Sequence, residues 1–153
     1  MLLAAIGLFA WWKAIHRPDM VQHFVAADVD GDGYVDISTA NAGSESVSVL
    51  LNSGEGAFSL AGHYAVGEVP TSVGAARLDG NETVDLVTAN FQAGTVSVLC
   101  ATGEGSYVRR DDIDIGVPVN SAAPVDLDQD GDYDLVVTSK SSRAFILKNQ
   151  GDA

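Results

Sequence analysis

The chain repeats itself with a displacement of 49 residues, and this repetition limits the possible folds more than any other feature. The segment VDISTAN at residues 35–41 recurs as VDLVTAN at residues 84–90. A third copy opens at residues 126–134, which repeat residues 28–36 at a displacement of 98, twice the period. A fixed period of this length predicts a repeat architecture in which each copy is one supersecondary unit.

Each copy has the pattern of four short β-strands. In the first copy, apolar and β-branched residues predict strands at residues 24–27, 36–40, 47–51 and 58–66. The turn at residues 53–56 contains two glycines, which supply the positive φ angles of a hairpin. Four strands in about 50 residues are typical of a propeller blade. The predicted fold class is all-β, with about three four-stranded antiparallel blades in a partial or fragmentary β-propeller.

The predicted organisation has four segments. Residues 1–17 form a hydrophobic N-terminal segment, and repeats follow at 18–66, 67–115 and 116–153, the last of them truncated. The apolar run at residues 2–12 is a possible signal peptide or anchor, a stray strand, or an arbitrary start to a fragment. Because propellers use about four to eight blades, three blades predict a fragment, an open array, or a protomer that closes by association. The apolar run is a candidate for the missing strand of the last blade.

Acidic side chains are concentrated in two nine-residue loops, which hold nine of the 21 carboxylates. Carboxylates stand at loop positions 1, 3, 5 and 9, and position 7 offers a backbone carbonyl. Ca²⁺ takes about six to eight oxygen ligands, and a cation relieves the repulsion among so many carboxylates. The spacing predicts about two structural Ca²⁺ ions per chain, a solvated acidic turn being the alternative. The predicted ligands are Asp28, Asp30, Asp32, Tyr34 and Asp36 in the first loop, and Asp126, Asp128, Asp130, Asp132 and Asp134 in the third.

The second copy departs from this pattern. Its loop places Arg77 at position 1, Asp79 at position 3, Asn81 at position 5 and Asp85 at position 9. A guanidinium in the place of the first carboxylate opposes cation binding. We expect Arg77 to take over the role of the metal by pairing with Asp79 and Asp85, and metal binding here is doubtful. A weakened site with fewer ligands is the alternative.

Several other classes of protein are disfavoured. An EF-hand needs an acidic residue at loop position 12, where this chain has Thr39 and Val137. The three histidines occur singly and no nucleophile motif is present, so we expect no enzymatic activity. A net charge of −13 with only 8 basic residues disfavours a nucleic-acid partner. Cys100, the one cysteine, lies in an alternating strand pattern and is predicted to be buried.

The sequence DVDGDGYVDISTAN, followed by SVSVLLNSGEGAF, resembles the FG-GAP/VCBS repeat of integrin α-chain propellers and of many secreted bacterial proteins. The resemblance covers about residues 18–151. It implies calcium at the two intact loops, including the carbonyls of Tyr34 and Asp132, and it implies an extracellular or cell-surface location. We carry no metal onto the loop of Arg77, because that loop departs from the family pattern.

Turns of an antiparallel meander alternate between the two ends of the sheet, so the calcium loops and the ligand surface are predicted at opposite ends. The ligand end would carry residues 42–45, 91–94 and 141–143 and the connectors between blades. Phe91 is the candidate contact residue there, the alternative being an aromatic packed on the neighbouring blade. We expect a non-catalytic module for extracellular adhesion or protein and ligand interaction, with a protein or carbohydrate partner and no transmembrane span. The alternative is an accessory carbohydrate- or polymer-binding module of a secreted enzyme.

Overall fold

The computed structural model describes residues 20–151, which form twelve β-strands and no helix. Glycines and Asx-type turns separate the strands at short intervals, as the repeat pattern predicts. The strands are β1 (Val21–Ala27), β2 (Asp36–Asn41), β3 (Ser46–Asn52), β4 (Phe58–Ala65), β5 (Pro70–Ala76), β6 (Asp85–Asn90), β7 (Thr95–Gly103), β8 (Ser106–Arg109), β9 (Ile113–Asp114), β10 (Val119–Val125), β11 (Asp134–Ser139) and β12 (Ala144–Leu147).

The strands form three antiparallel sheets, which we call blades 1, 2 and 3. Blade 1 has the order β1-β2-β3-β4, and blade 2 has the order β5-β6-β7-β8 with β9 paired to β7. Blade 3 has the order β10-β11-β12. The prediction of an all-β chain of propeller-like blades is confirmed. Among the described residues, blade 2 has five strands and blade 3 has three. The described part of the chain forms no closed barrel.

The apolar core lies between neighbouring blades, because each sheet buries a face against the next. Directly paired residues of an antiparallel sheet point to the same face, so the register identifies the two faces of each blade. Between blades 1 and 2, one cluster includes Val47, Val49, Val73, Leu86 and Leu99. Between blades 2 and 3, a second cluster includes Val87, Ala89, Ala122, Leu135 and Val137. Blade 2 is therefore covered on both faces.

Hydrogen bonds at equivalent positions join the innermost strands of neighbouring blades. The backbone N–H of Val73 donates to Nδ1 of His23 at 3.4 Å, which links β5 to β1. One repeat later, the backbone N–H of Ala122 donates to Oγ of Ser72 at 3.1 Å, which links β10 to β5. Gly74 allows the close approach of β10, since a Cβ there would lie 2.7 Å from Cδ of Pro124. The same type of hydrogen bond therefore joins blade 1 to blade 2 and blade 2 to blade 3.

The loops separate into two ends. At one end, the connectors between blades bond to the turns between second and third strands: the N–H of Phe91 donates to the carbonyl of Val69 at 2.9 Å, and the N–H of Ile115 donates to the carbonyl of Gly94 at 3.0 Å. At the other end, the Asp-rich loop of blade 1 lies against the hairpin that follows β3. There a Cβ on Gly54 would meet the ring of Tyr34. The acidic loops are thus held away from the connectors.

Candidate metal centre

The first acidic loop is coiled by its own carboxylates. Asp28 accepts hydrogen bonds from the backbone N–H groups of Gly31, at 2.8 Å, and Gly33, at 2.9 Å. Asp30 accepts from the N–H of Asp32 at 3.1 Å, and Asp32 accepts from the N–H of Tyr34 at 2.8 Å. Gly31 and Gly33 have φ angles of +83° and +92°, which L side chains rarely adopt. Carboxylates at alternate positions therefore face the inside of a tight turn.

Three of the predicted ligands converge in this loop. Asp28, Asp30 and Asp36 each place a carboxylate oxygen so that these oxygens lie within 4.8 Å of one another. Burial raises the pKa of Asp30; the hydrogen bond from Asp32 opposes the rise, and the neighbouring carboxylates add to it. Such a set of hard oxygen donors suits a divalent cation like Ca²⁺. Asp32 and Tyr34 lie in the same turn, but Asp32 is not in the convergent group.

The carboxylate at loop position 9 has a second role, which we call the clamp. Asp36 is fully buried, and its Oδ2 accepts from the N–H of Val29 at 2.8 Å. Its Oδ1 accepts from the N–H of Asn52, also at 2.8 Å, on the far end of β3. One side chain thereby ties the acidic loop to a strand 16 residues away. Hydrogen bonds to an ionised, buried acceptor are among the stronger ones in proteins.

The third loop repeats this geometry with one cation added. Asp126 accepts from the N–H groups of Gln129, at 2.7 Å, and Gly131, at 3.2 Å. Asp126, Asp128 and Asp130 place carboxylate oxygens within 4.8 Å of one another. The ammonium of Lys148 forms an ion pair with Asp128. This hydrogen-bonded ion pair holds the pKa of Asp128 below its usual range.

The clamp of the third loop is incomplete. Oδ1 of Asp134 accepts from the N–H of Asn149 at 2.9 Å, as Asp36 does from Asn52. Oδ2 of Asp134 is buried and has no hydrogen-bond partner within the described residues, although Asp134 is only 1% exposed. A buried carboxylate oxygen without a partner is costly, and a bound cation is one of the few groups that would satisfy it. The third loop thus fits a hard cation. The Asp132 side chain lies against Gly151 at its edge, and its backbone N–H donates to Asp130 at 3.0 Å.

The second loop keeps the clamp but lacks the expected ion pair. Asp85 is fully buried and accepts from the N–H groups of Leu78 and Ala101, both at 2.8 Å. Burial raises its pKa, and these two hydrogen bonds oppose that rise. Arg77 is exposed and forms no ion pair with Asp79 or Asp85 in the part of the chain that the structure describes. The expected pairing was wrong: Arg77 lies at the exposed surface, whereas the carboxylate of Asp85 is fully buried and is held by backbone amides.

A cysteine lies beside this second loop. Cys100 is buried, as its strand pattern predicts, and its Sγ lies within 4.8 Å of carboxylate oxygens of Asp79 and Asp85. The guanidinium Nε of Arg110 donates to Sγ at 3.4 Å. Asn81 stays within its own turn, accepting from the N–H of Thr83 at 2.7 Å. The second loop is therefore held by backbone hydrogen bonds, and its predicted lack of metal stays a prediction.

At the opposite end, Phe91 has a neighbour from the next blade. The ammonium of Lys140 lies 4.7 Å from the centroid of the Phe91 ring, the distance of a cation–π contact. Phe91 is half-buried, which matches the alternative of a loop aromatic packed on its neighbour. Ala42, Phe91 and Lys140 are one repeat apart. The role of Phe91 in partner binding stays a prediction.

Sequence reasoning missed two features of the loops. The clamp was missed because its donors are backbone N–H groups, one in the loop and one on a distant strand, which no residue type reveals. Lys148 was missed although a signal existed: it occupies the position of Leu51 and Cys100 in the other repeats, directly beside the clamp donor. In blade 3, the cation at that position pairs with a carboxylate of the acidic loop. Together, blades and loops define a β-propeller-type repeat module.

The comparison with family models agrees with this class. Residues 28–88 match the model of the FG-GAP-like repeat. This stretch, from the first acidic loop into β6, is therefore similar to the FG-GAP-like repeat. A search of curated proteins gave no match. Nothing in residues 20–151 has the helical length and hydropathy needed to cross a bilayer.

Proposed function

We propose that the chain is a non-catalytic, calcium-stabilised propeller module that serves adhesion or ligand binding outside the cell or at its surface. The observation that carries the proposal is the repeated convergence of carboxylates in the first and third loops. Asp28, Asp30 and Asp36 gather in one, and Asp126, Asp128 and Asp130 gather in the other. In the third loop, the buried oxygen of Asp134 also lacks a hydrogen-bond partner within the described residues, although it is not one of the three convergent oxygens.

The role assigned to calcium is structural. The acidic loops lie at the end of the blades away from the connectors, where an ion would fix the turn between the first and second strands. Extracellular calcium is abundant enough to fill sites of about 10⁻⁴–10⁻³ M affinity, which are common in extracellular modules. The adhesive or ligand-binding role is supported by the FG-GAP-like repeat and by the acidic charge of −13, which disfavours nucleic acid.

The decisive measurement is the calcium stoichiometry of the full chain after removal of metal with EDTA. Isothermal titration and equilibrium dialysis should give two ions per chain. Asp30→Ala and Asp128→Ala should each remove one ion, and the double variant should bind none. Asp79→Ala, at the equivalent position of the second loop, is the matched control and should retain both ions. Absence of bound calcium in protein shown to be folded by circular dichroism would refute the calcium assignment.

A second measurement addresses the module's role. Attachment of cells to a surface coated with the chain should depend on calcium and disappear with EDTA. A glycan array probed with the same protein separates carbohydrate binding from protein binding. Strong glycan binding with no cell attachment would refute the adhesive role and favour an accessory module of a secreted enzyme.

A further inference from the structure

The charges of the described residues are distributed unevenly between the two ends of the blades. The end that carries the acidic loops and the segments that follow β3, β7 and β12, which we call the loop end, holds 14 acidic side chains against two basic ones, Arg77 and Lys148. The opposite end, which we call the connector end, holds Glu45, Glu68 and Asp114 against two basic side chains. The acidity of the described chain therefore lies almost entirely at the loop end.

The two basic side chains of the connector end, Lys140 and Arg143, belong to one turn. This turn, residues 140–143, joins β11 to β12 in blade 3, and we call it the basic turn. The N–H of Ser139 donates to the carbonyl of Arg143 at 2.9 Å, and the hydroxyl of Ser139 donates to the same oxygen at 3.3 Å. The turn is thus closed at its base, and both cationic residues are exposed, three positions apart.

Neither cation of the basic turn has a carboxylate partner among the described residues. The ion pairs in that part of the chain involve two other basic residues, Arg109 and Lys148. Lys140 has instead a cation–π contact with Phe91, its ammonium lying 4.7 Å from the centroid of the ring. In a chain with 21 carboxylates, two neighbouring cations without an acidic partner leave a positive surface that fits an anionic ligand.

The basic turn is specific to blade 3. The corresponding turns of blades 1 and 2, residues 42–45 and 91–94, contain no basic residue. Lys140 stands where these blades have Ala42 and Phe91. Because blades 1 and 2 close the same turn without a cation, the fold of a blade does not require the charges of the basic turn.

We propose that the basic turn binds an acidic segment of a protein partner, with carboxylates of that segment on Lys140 and Arg143. This inference rests on the proposed ligand-binding role and names the chemistry of the partner. Lysine and arginine form charge-assisted hydrogen bonds with carboxylates, and arginine can donate two parallel N–H groups to one carboxylate. Phe91 positions the ammonium of Lys140 through the cation–π contact.

The surrounding charges favour a short acidic segment over a long polyanion. At the connector end the cations are confined to blade 3, whereas Glu45 in blade 1 and Glu68 and Asp114 on either side of blade 2 are exposed carboxylates. An acidic polysaccharide that extends from the basic turn across the neighbouring blades would be repelled by these carboxylates. A peptide whose acidic side chains are close together can bind the basic turn and avoid them.

The acidic loops do not cancel this attraction at physiological salt. The six residues of β11 separate the basic turn from the third acidic loop by about 20 Å, because a strand rises about 3.3 Å per residue. The Debye length is about 8 Å at 0.15 M salt and about 30 Å at 0.01 M. A carboxylate at the basic turn is therefore screened from the loop end at 0.15 M salt and repelled by it at 0.01 M.

The test is an NMR titration of the full, isotope-labelled chain in about 0.15 M salt, in calcium and again in EDTA. The probe is a five-residue peptide with two aspartates, and the same peptide with asparagines is the negative control. We expect saturable shifts of the amides of residues 139–144, with a Kd of about 1 mM. Lys140→Gln and Arg143→Gln should each weaken binding about two- to fivefold, and the double variant should weaken it further. Arg77→Gln is the matched control and should bind normally, because Arg77 is also an exposed cation without an ion pair among the described residues but lies at the loop end.

Several outcomes would overturn the inference, and the same spectra show whether each variant is folded. One is the absence of saturable shifts in the basic turn up to about 10 mM peptide. Another is an equal loss of affinity in Arg77→Gln, which would show a general attraction to cations. Tighter binding of a galacturonic-acid oligomer at the same turn would replace the protein partner with an acidic polysaccharide.

Two results separate this inference from the proposed function. Normal cell attachment by the double variant, once it no longer binds the peptide, would refute the inference and leave the proposed function intact. Peptide binding by a chain that binds no calcium would refute the calcium assignment and leave the inference intact.

Discussion

Replacing Asp85 with alanine tests the contribution of the clamp to stability separately from metal binding, because Asp85 belongs to the loop that departs from the calcium pattern. Its carboxylate is fully buried and accepts two backbone N–H groups at 2.8 Å, from Leu78 and Ala101. The substitution removes both acceptors and leaves two N–H groups without partners. We expect a folded chain of lower stability, with calcium stoichiometry unchanged.

The magnitude follows from these two bonds. A hydrogen bond to a charged group contributes about 1.5–3 kcal/mol, and two of them contribute about 3–6 kcal/mol. Removal of the buried charge offsets part of this loss of stability, because burial disfavours the ionised form of Asp85. A net loss of about 2–4 kcal/mol in the free energy of unfolding remains. Asp85→Asn keeps the shape and one acceptor oxygen, so its loss should be about half as large.

Urea denaturation followed by circular dichroism measures both variants, in EDTA to remove any contribution from metal. Asp111→Ala serves as the control, since Asp111 is exposed and has the same charge. Its midpoint should move little. If Asp85→Ala and Asp111→Ala lower the stability by the same small amount, below about 0.5 kcal/mol, the clamp has no energetic role and the reasoning fails.

Three further predictions concern single contacts. Gly54→Ala should lower the stability by about 1–3 kcal/mol in urea denaturation, because Gly54 has a φ of +82° and a Cβ would meet the ring of Tyr34; an unchanged midpoint would contradict this. Tyr107→Phe removes a buried hydroxyl that donates to the carbonyl of Val84 at 3.1 Å, and it should lower Tm by about 2–4 °C. An unchanged Tm would argue against that hydrogen bond. Lys148→Met removes the ammonium paired with Asp128 and should tighten calcium binding at the third loop about two- to fivefold. Calcium titration of protein that also carries Asp30→Ala, which removes the first site, measures this affinity. Weaker binding would show that Lys148 supports the site.

The architecture was accessible from the sequence because its signal is periodic. The 49-residue displacement aligns β2 with β6 and β11, and the first copy's strand pattern agrees with β1 to β4 within a few residues. Period and alternation are patterns of residue types, so they are visible in the sequence without any knowledge of contacts. The positions of the acidic side chains followed from the same alignment.

The chemistry of the second loop was not accessible in this way. Charge alone favoured a pair between Arg77 and Asp85, but the oxygens of Asp85 bind amides of Leu78 and Ala101, and amides are present at every non-proline position. The lysine in the place of Leu51 and Cys100 indicates a charge beside the clamp donor, but its contact with Asp128 depends on how β12 ends. Backbone partners and the direction of long side chains are set by the assembled fold.

The clamp has a consequence for how such chains diverge. Because Asp85 holds its loop to β7 through amides alone, a blade can exchange the carboxylates that we propose to bind metal and still close its turn. The loops of blades 1 and 2 share the clamp while differing at position 1, Asp28 against Arg77. Under the proposed calcium assignment, mutation can therefore add or remove the requirement for an ion one blade at a time, with the strands of each blade kept. A lineage of these repeats could move between calcium-rich and calcium-poor surroundings through substitutions in a few loop positions.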